Sequence, residues 1–243
     1  MVITSRSNDR IKAVRALQQH KERVRTGLHL LEGDKLVFDA AASGAELVTV
    51  YALEGAAVPE GAEVVTVSES VMEAIRTQPS PQGVCAVCRT PELTPPERFP
   101  AGLIVALDRL QDPGNLGTIL RTADALGAAG LLLSEDSVDP FSPKALRAAM
   151  GSTYHLPVWV APLPETLDRL NAAGYACICG HLAGSETMPP HGENTVLVVG
   201  NEGSGVSDAV ASRCARYRMP MRGRAESLNA AVFAALMMQK LLD

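Results

Sequence analysis

A polar loop with two constrained backbone positions precedes the last predicted helix of the sequence. It reads Arg218-Met-Pro-Met-Arg-Gly-Arg-Ala-Glu-Ser-Leu-Asn229, and an apolar run from Ala230 to Leu242 follows it. Pro220 fixes its own φ angle and lacks an N–H, whereas Gly223 can adopt a positive φ. Ser227 suits the N-cap of the helix that the apolar run predicts, and the first amides of a helix have no partner within it. The loop is therefore expected to hold a polar ligand with main-chain amides.

The apolar run from Ala230 to Leu242 is hydrophobic on nearly every side instead of along one stripe. A helix with this pattern is buried on more than one face. We therefore expect the chain's own sheet to cover one face and a second copy of the chain, in a homodimer, to cover the other.

Two further polar loops lie upstream, each at the end of a predicted strand. The first reads Asp112-Pro-Gly-Asn-Leu-Gly-Thr-Ile-Leu-Arg-Thr-Ala123 and follows the apolar run 103–107. The second reads Val199-Gly-Asn-Glu-Gly-Ser-Gly-Val-Ser207 and follows the apolar run 196–199. Strands separated by helical patterns predict a parallel sheet that is covered on both faces. Such sheets bind ligands beyond the carboxyl ends of their strands, which is where these loops begin.

The polar residues of the three loops have both structural and chemical interpretations. The planar guanidinium of Arg121 suits a phosphate group, although an arginine on a helix surface is more often only solvated. Asn115 and Ser227 both suit helix caps. Glu202 could order the loops by accepting amide hydrogen bonds, or it could contact a substrate. Asn229 is harder to explain by propensity if it lies inside a helix.

Taken in order, the three loops resemble the three motifs of the SpoU/TrmH family of RNA ribose 2′-O-methyltransferases, within the SPOUT superfamily. The resemblance implies S-adenosylmethionine as methyl donor and an α/β domain with a parallel sheet and a deep C-terminal trefoil knot. Strand and helix alternation alone would favour a Rossmann-like domain. However, Gly200-Asn-Glu-Gly-Ser-Gly205 does not match the G-x-G-x-x-G fingerprint, which argues against an unrelated dinucleotide-binding enzyme.

The resemblance also assigns roles to particular residues. Catalytic roles fall to Asn115, Arg121, Glu202, Ser227 and Asn229. Cofactor binding falls to Gly200, Gly205, Met219, Met221 and Leu228. Arg121 is expected to position the RNA, and action as the base for the 2′-hydroxyl is a further hypothesis, because a guanidinium pKa of about 12.5 or above opposes it.

The charge is distributed unevenly along the sequence. The chain has a net charge of −5, which by itself does not favour a general nucleic-acid binder. Residues 1–25, however, contain seven basic and two acidic side chains. A basic segment on an acidic body is what a protein needs if one face meets phosphate, and the alternative is a solvated helix.

The cysteine pattern favours buried thiols over a metal site. Cys85-Ala-Val-Cys88 and Cys177-Ile-Cys179 both lie in apolar, strand-like runs. Cysteine in such runs behaves as a small buried hydrophobic residue, and no second pair or nearby histidines complete a zinc site. We expect no metal cofactor.

The sequence divides into two predicted domains. Residues 1–90 are expected to form a small α/β domain, 91–100 a proline-rich linker, and 101–243 the catalytic domain. Within the first, Leu30-Leu-Glu-Gly-Asp-Lys-Leu-Val-Phe38 and Ser80-Pro-Gln-Gly-Val84 resemble the RNA substrate-binding domain that precedes the catalytic domain in many family members. Ile11, Val14 and Leu17 predict an amphipathic helix near its start, capped by Ser7 or Asn8.

The expected function is methylation of a ribose 2′-hydroxyl in RNA, and 23S ribosomal RNA is favoured by analogy because of the first domain. Transfer RNA is an alternative substrate. A catalytically silent RNA-binding or ribosome-assembly factor is a second alternative, which the presence of all the motif residues opposes. The sequence has neither an apolar run long enough for a transmembrane helix nor a signal-peptide pattern, so we expect a cytoplasmic protein.

Overall fold

The computed structural model describes residues 2–77 and 83–243, so residues 80–82 of the second resembling segment lie outside the described residues. The chain divides into two compact units. One consists of Met1–Pro91 and Asp139–Tyr154, and the other of Glu92–Val138 and His155–Asp243. In the part of the chain that the structure describes, no helix is long and apolar enough to cross a membrane.

The first unit is built on a four-stranded mixed sheet. From Met1 to Pro91 it contains α1 (Asp9–Ala16), α2 (His20–Thr26), β1 (Leu28–Glu32), α3 (Asp34–Ala42), β2 (Leu47–Ala52), β3 (Glu63–Thr66), α4 (Glu69–Ile75) and β4 (Val84–Arg89). The strand order is β1-β4-β2-β3. Strand β4 runs antiparallel to β1 and β2, and β3 runs parallel to β2.

Helix α1 has the amphipathic character that the sequence predicts. Ile11, Val14 and Leu17 are buried in the core beneath the sheet, together with residues of α4 and β4. Asn8 is the N-cap, and its side chain accepts a hydrogen bond from the amide of Arg10. The apolar spacing therefore identified which face of this helix is buried.

Most of the basic side chains in the segment 1–25 are paired with carboxylates of the same unit. The pairs are Arg6–Glu73, Arg10–Glu63, Lys12–Asp9, Arg23–Asp139 and Arg25–Glu22. Only the Arg23 pair is buried, with side chains 6% and 15% exposed. Five of the seven basic side chains in this segment are thus already paired with the protein's own acids, whichever of the two sequence interpretations applies.

The segment Asp139–Tyr154 packs with the first unit although Glu92–Val138, which belongs to the other unit, separates the two in sequence. It contains α6 (Pro143–Ala149) and a 3-10 turn, Ser152–Tyr154. Arg23 donates to the Asp139 carboxylate at 2.7 Å, and the Nε2 atom of His29 lies 2.6 Å from the Tyr154 hydroxyl. These polar contacts join the segment to α2 through Arg23 and to β1 through His29, which is fully buried.

Two thiols of the first unit, Cys85 and Cys88, are fully buried on β4. Burial raises the pKa of each to about 12. They therefore behave as small apolar residues, as their sequence context predicts. Within residues 2–77 and 83–243, no group of three or more His, Cys, Asp or Glu side chains could hold a metal ion.

The second unit is built on a six-stranded sheet. It contains β5 (Leu103–Leu107), α5 (Pro113–Ala125), β6 (Gly130–Leu133) and, after α6 of the first unit, β7 (Val158–Val160), α7 (Leu163–Ala172), β8 (Ala176–Ser185), β9 (Thr195–Val199), α8 (Asp208–Ala211), β10 (Ala215–Tyr217) and α9 (Ala230–Leu242). The strand order is β10-β8-β9-β5-β6-β7, and every neighbouring pair is parallel. The predicted parallel-sheet α/β architecture is confirmed, whereas the trefoil knot stays a prediction.

Candidate active site

An open cleft of about 1000 Å³ lies at the carboxyl ends of β9 and β10. Three segments line it: residues 180–182 of β8, residues 199–206 after β9, and the loop that runs from Tyr217 into α9. Because the strands are parallel, their carboxyl ends meet at one edge and bring the second and third polar loops together.

All five residues predicted to bind the cofactor lie in the wall of this cleft. They are Gly200, Gly205, Met219, Met221 and Leu228. The methionines and the leucine provide apolar surface, and the glycine-rich loop provides main-chain polar groups beside it. The arrangement suits a ligand that has both an apolar ring and polar substituents.

Gly200 is required by the protein's own backbone. A Cβ atom at this position would lie 2.2 Å from the carbonyl carbon of Gly205 and 2.3 Å from the amide nitrogen of Val206. The loop closes on itself there, since Asn201 and Gly205 exchange two backbone hydrogen bonds of 3.0 and 2.9 Å. Close approach of backbone to backbone thus explains this glycine at least as well as close approach of a ligand.

Asn201 organises the loop after β9. Its side-chain oxygen accepts hydrogen bonds from the amides of Gly203 and Ser204, at 2.9 and 3.0 Å, and its side-chain nitrogen donates to the carbonyl of Arg109 at 2.9 Å. The loop is therefore tied both to itself and to the end of β5. Asn201 lies inside the second polar loop recognised from the sequence, but no role was predicted for it there.

Glu202 joins the loop after β9 to the loop after β5. Its carboxylate accepts hydrogen bonds from the amides of Gln111 and Asp112, at 3.1 and 2.9 Å, and from the side-chain nitrogen of Asn115 at 3.0 Å. Partial burial raises the pKa of Glu202, but the hydrogen bonds from Asn115, Asp112 and Gln111 outweigh burial and leave the pKa below its usual value. The sequence left two roles open for Glu202, ordering the loops or contacting a substrate, and these hydrogen bonds correspond to the first.

Asn229 extends this network to the third loop. Its side-chain nitrogen donates to the side-chain oxygen of Asn115 at 2.9 Å, and its own side-chain oxygen accepts from the amides of Ala231 and Val232. Asn229 is therefore the N-cap of α9. The expectation that Ser227 caps this helix, and that Asn229 lies within it, was wrong, because the helix begins later in the chain than a Ser227 cap would require.

Ser227 and Arg121 stand outside the network. Ser227 is exposed and lines the cleft. Arg121 is exposed on α5, does not line the cleft, and makes no ion pair or hydrogen bond with the residues that the structure describes. The structure thus brings Asn115, Glu202 and Asn229 into direct contact and leaves the Arg121 guanidinium available to another molecule.

Two residues at the end of β5 also hold the site together and were not predicted to do so. Asp108 is 3% exposed, and its carboxylate accepts a 2.6 Å hydrogen bond from the amide of Ser207. Arg109 adopts a positive φ of 57°, which is uncommon for a residue other than glycine, and its guanidinium lies 3.3 Å from the carbonyl of Gly205. Neither the charge of Arg109 nor its neighbours in sequence indicate this conformation.

Comparison with known proteins identifies both parts of the chain. Residues 102–239 match the model of the SpoU rRNA Methylase family. The chain belongs to that family. Residues 8–86 match the MRM3-like substrate binding domain. Membership of the SpoU family, predicted from the three motifs, is confirmed.

Similar proteins cover nearly the whole chain. A 23S rRNA (guanosine(2553)-2′-O)-methyltransferase, RlmP, of Bacillus subtilis is 35% identical, and the alignment covers 98% of this chain and 98% of that protein. An AdoMet-bound rRNA methyltransferase from Sinorhizobium meliloti superimposes with a TM-score of 0.91 at 36% identity, covering 99% of this chain and 97% of that one. The SpoU methyltransferase AviRb from Streptomyces viridochromogenes, in complex with AdoMet, has a TM-score of 0.87 at 28% identity, covering 97% of each chain.

Proposed function

We propose that this protein transfers a methyl group from S-adenosylmethionine to a ribose 2′-hydroxyl of 23S ribosomal RNA. The observation that carries this proposal is the chain of hydrogen bonds Glu202–Asn115–Asn229, which joins three SpoU motif loops at one cleft. The Bacillus relative, aligned over nearly its full length, supports the choice of 23S rRNA. A cytoplasmic location follows from that substrate.

The cleft fits S-adenosylmethionine, which supplies a methyl group bonded to a positively charged sulfur. Met219, Met221 and Leu228 would pack against the adenine, and the backbone around Gly200 and Gly205 would bind the polar parts of the molecule. A binding site of this kind, with apolar walls and a few fixed polar groups, recognises a nucleoside without a metal ion.

The chain's own residues have distinct tasks in the proposed reaction. Glu202 holds the loops after β5 and β9 in register, so its carboxylate is occupied by three donors and has a lowered pKa. It is therefore a positioning residue and a poor proton acceptor. Arg121 binds a phosphate beside the reacting ribose, since its guanidinium is exposed and a planar fork matches phosphate oxygens. Fixed placement of the 2′-oxygen lowers the barrier by limiting the geometries that must be sampled.

Two further parts of the proposal concern domain roles and assembly. Residues 1–90 bind the substrate RNA, 91–100 link the domains, and 101–243 carry out methyl transfer. The protein works as a homodimer that uses the outer face of α9. Val232 and Leu236, one turn apart on this helix, are 48% and 50% exposed, and apolar side chains of this size gain free energy when a second copy covers them.

The substrate is tested by incubating the protein with labelled S-adenosylmethionine and, separately, protein-free 23S ribosomal RNA, 16S ribosomal RNA and transfer RNA. We expect label in 23S rRNA only, at a dinucleotide that resists alkali because its 2′-oxygen is methylated. Label in transfer RNA alone would contradict the choice of 23S ribosomal RNA and identify transfer RNA as the substrate. Cofactor binding without label in any RNA, assembled ribosomal subunits included, would indicate a silent RNA-binding factor.

The dimer is tested by light scattering at micromolar concentration. We expect a mass of two chains, and we expect Leu236→Glu to give a monomer because it would bury a charge at the interface. A monomeric unmodified protein would contradict the assembly without affecting the proposed reaction.

A further inference from the structure

The segment Arg216–Arg224 comprises the end of β10 and the start of the third polar loop, and it is strongly basic. It contains four arginines and no acidic residue, in a chain whose net charge is −5. Arg218 is bonded to Glu186 at 2.9 Å. Arg222 and Arg224 are exposed, and neither forms an ion pair or hydrogen bond with any residue in 2–77 or 83–243. Their charge is therefore available to a partner, unlike most of the charge in the segment 1–25.

The two arginines alternate with residues that line the cleft. Met221, Gly223 and Ala225 are in the cleft wall, whereas Arg222 and Arg224 are not. Their side chains thus lie on the outer side of the loop whose inner side faces the cleft. This placement argues against contact with a ligand inside the cleft and favours contact with a larger molecule that lies across its mouth.

We propose that Arg222 and Arg224 bind two backbone phosphates of the substrate RNA next to the methylated ribose. This inference rests on the proposed function and adds to it two further phosphate contacts, distinct from the one assigned to Arg121. RNA carries a regular series of phosphates, and a guanidinium binds a phosphate through two parallel hydrogen bonds. Arginines separated by a single glycine on an exposed loop can follow such a backbone, because the glycine leaves the loop free to adapt.

The inference predicts a change in the salt dependence of RNA binding. Each phosphate contact releases counterions, so losing one contact lowers the slope of log affinity against log salt by roughly 0.7 to 1. Loss of one such bond to a charged group weakens binding roughly ten-fold at low salt. Binding of S-adenosylmethionine should stay unchanged, because neither side chain lines the cleft.

The test measures equilibrium binding of the full-length protein to protein-free 23S ribosomal RNA at several KCl concentrations. Arg222→Ala and Arg224→Ala are compared with Arg98→Ala, which removes the same charge from an exposed arginine of the proline-rich segment. We expect a lower slope and roughly ten-fold weaker binding for each loop variant and no change in slope for Arg98→Ala. Arg222→Lys and Arg224→Lys should keep the slope, because they keep the charge, and lose only part of the affinity.

Three outcomes would overturn the inference. One is unchanged RNA affinity and slope in the double variant Arg222→Ala/Arg224→Ala, which would leave an acidic protein as the better candidate partner. Another is equal loss in Arg98→Ala, which would indicate only a nonspecific charge effect. The third is weaker S-adenosylmethionine binding in calorimetry, which would place the side chains in the cleft. If the protein methylates no RNA, the proposed function fails, but the binding slopes still report on the two arginines.

Discussion

The segment 1–25 and the segment Arg216–Arg224 are both basic in sequence, yet the structure uses their charges differently. In the first, five of seven basic side chains are bonded to carboxylates of the same unit. In the second, Arg222 and Arg224 have no bonded partner within the described residues. Net charge along a sequence therefore locates basic residues without showing which of them can reach a nucleic acid.

The difference has a physical basis in what surrounds each segment. The segment 1–25 lies within a unit whose other residues place Glu63, Glu73 and Asp139 within reach of its arginines. The loop before α9 leaves the end of a sheet strand, and its outer side is exposed. Arginines of the first kind should matter for folding, and those of the second kind for binding.

Arg23→Ala should give the largest loss of stability among the first group. Its guanidinium is 6% exposed and bonds Asp139 as well as the carbonyls of Leu17 and Gln18. Removing one partner of a buried ion pair costs about 3–5 kcal/mol, because the other charge is left buried. Urea unfolding measures this cost, and Arg25→Ala, whose exposed pair with Glu22 should contribute less than about 1 kcal/mol, is the control. Equal small effects in both would show that the buried pair does not fasten the segment Asp139–Tyr154.

His29 should make the first unit lose stability in mild acid. Burial lowers the pKa of His29 to about 4, with the nearby positive charge of Arg23 adding to burial and Asp139 opposing it. The unfolded chain binds a proton at the ordinary histidine pKa of about 6.5, so stability is present above that pH and falls as the pH drops from about 6.5 to about 4. The loss should reach roughly 3 kcal/mol. His29→Gln should flatten this part of the pH dependence in urea unfolding, and a wild-type curve that is already flat there would contradict the account.

Glu202→Gln should affect the cleft more than the stability of the fold. The amide keeps the shape of the side chain but places an NH₂ group against a donor from Gln111, Asp112 or Asn115. We expect S-adenosylmethionine to bind roughly ten-fold more weakly in calorimetry, as one bond to a charged group is lost. Because the pKa of Glu202 is lowered, the network should persist through the usual carboxyl range and weaken only as the pH falls below that range. Unchanged cofactor binding would show that the loops keep their positions without this bridge.

Substitutions of Asn229 can separate its role as the N-cap of α9 from its role in the hydrogen-bond network of the cleft. Asn229→Ala should cost about 1 kcal/mol, because the first amides of α9 lose their acceptor. Asn229→Ser should restore most of that stability as an N-cap but not the bond to Asn115, so methyl transfer should stay low. Thermal unfolding and a methyl-transfer assay on the same samples would show this. Full activity in the serine variant would mean that Asn229 serves only as a cap.

Local patterns predicted much of the fold. The spacing of Ile11, Val14 and Leu17 identified the buried face of α1, and the apolar runs before the polar loops identified the parallel strands that position the site. Each of these features depends on residues that are close in sequence, because the spacing of apolar residues along a helix or strand reflects which face is buried. The assignment of the chain to the SpoU family came from the motifs in the same loops.

Features that depend on distant residues could not be predicted in this way. His29 and Tyr154 are 125 positions apart, and no periodicity indicates that they share a buried hydrogen bond. The positive φ of Arg109 and the bond between Asn115 and Asn229 likewise arise from tertiary packing. Ser227 and Asn229 are both good capping residues, so only the path of the loop decides between them.

The most direct test of the account is a methyl-transfer assay that compares an arginine of each kind. Arg121→Ala and Arg6→Ala each remove one exposed guanidinium, but Arg6 is bonded to Glu73 whereas Arg121 has no bonded partner in the described part of the chain. With labelled S-adenosylmethionine and 23S ribosomal RNA, Arg121→Ala should lower the rate about 100-fold or more through lost positioning, without weakening cofactor binding. Arg6→Ala should retain nearly the full rate. Equal rates in the two variants, or a larger loss in Arg6→Ala, would contradict the division between structural and RNA-binding arginines.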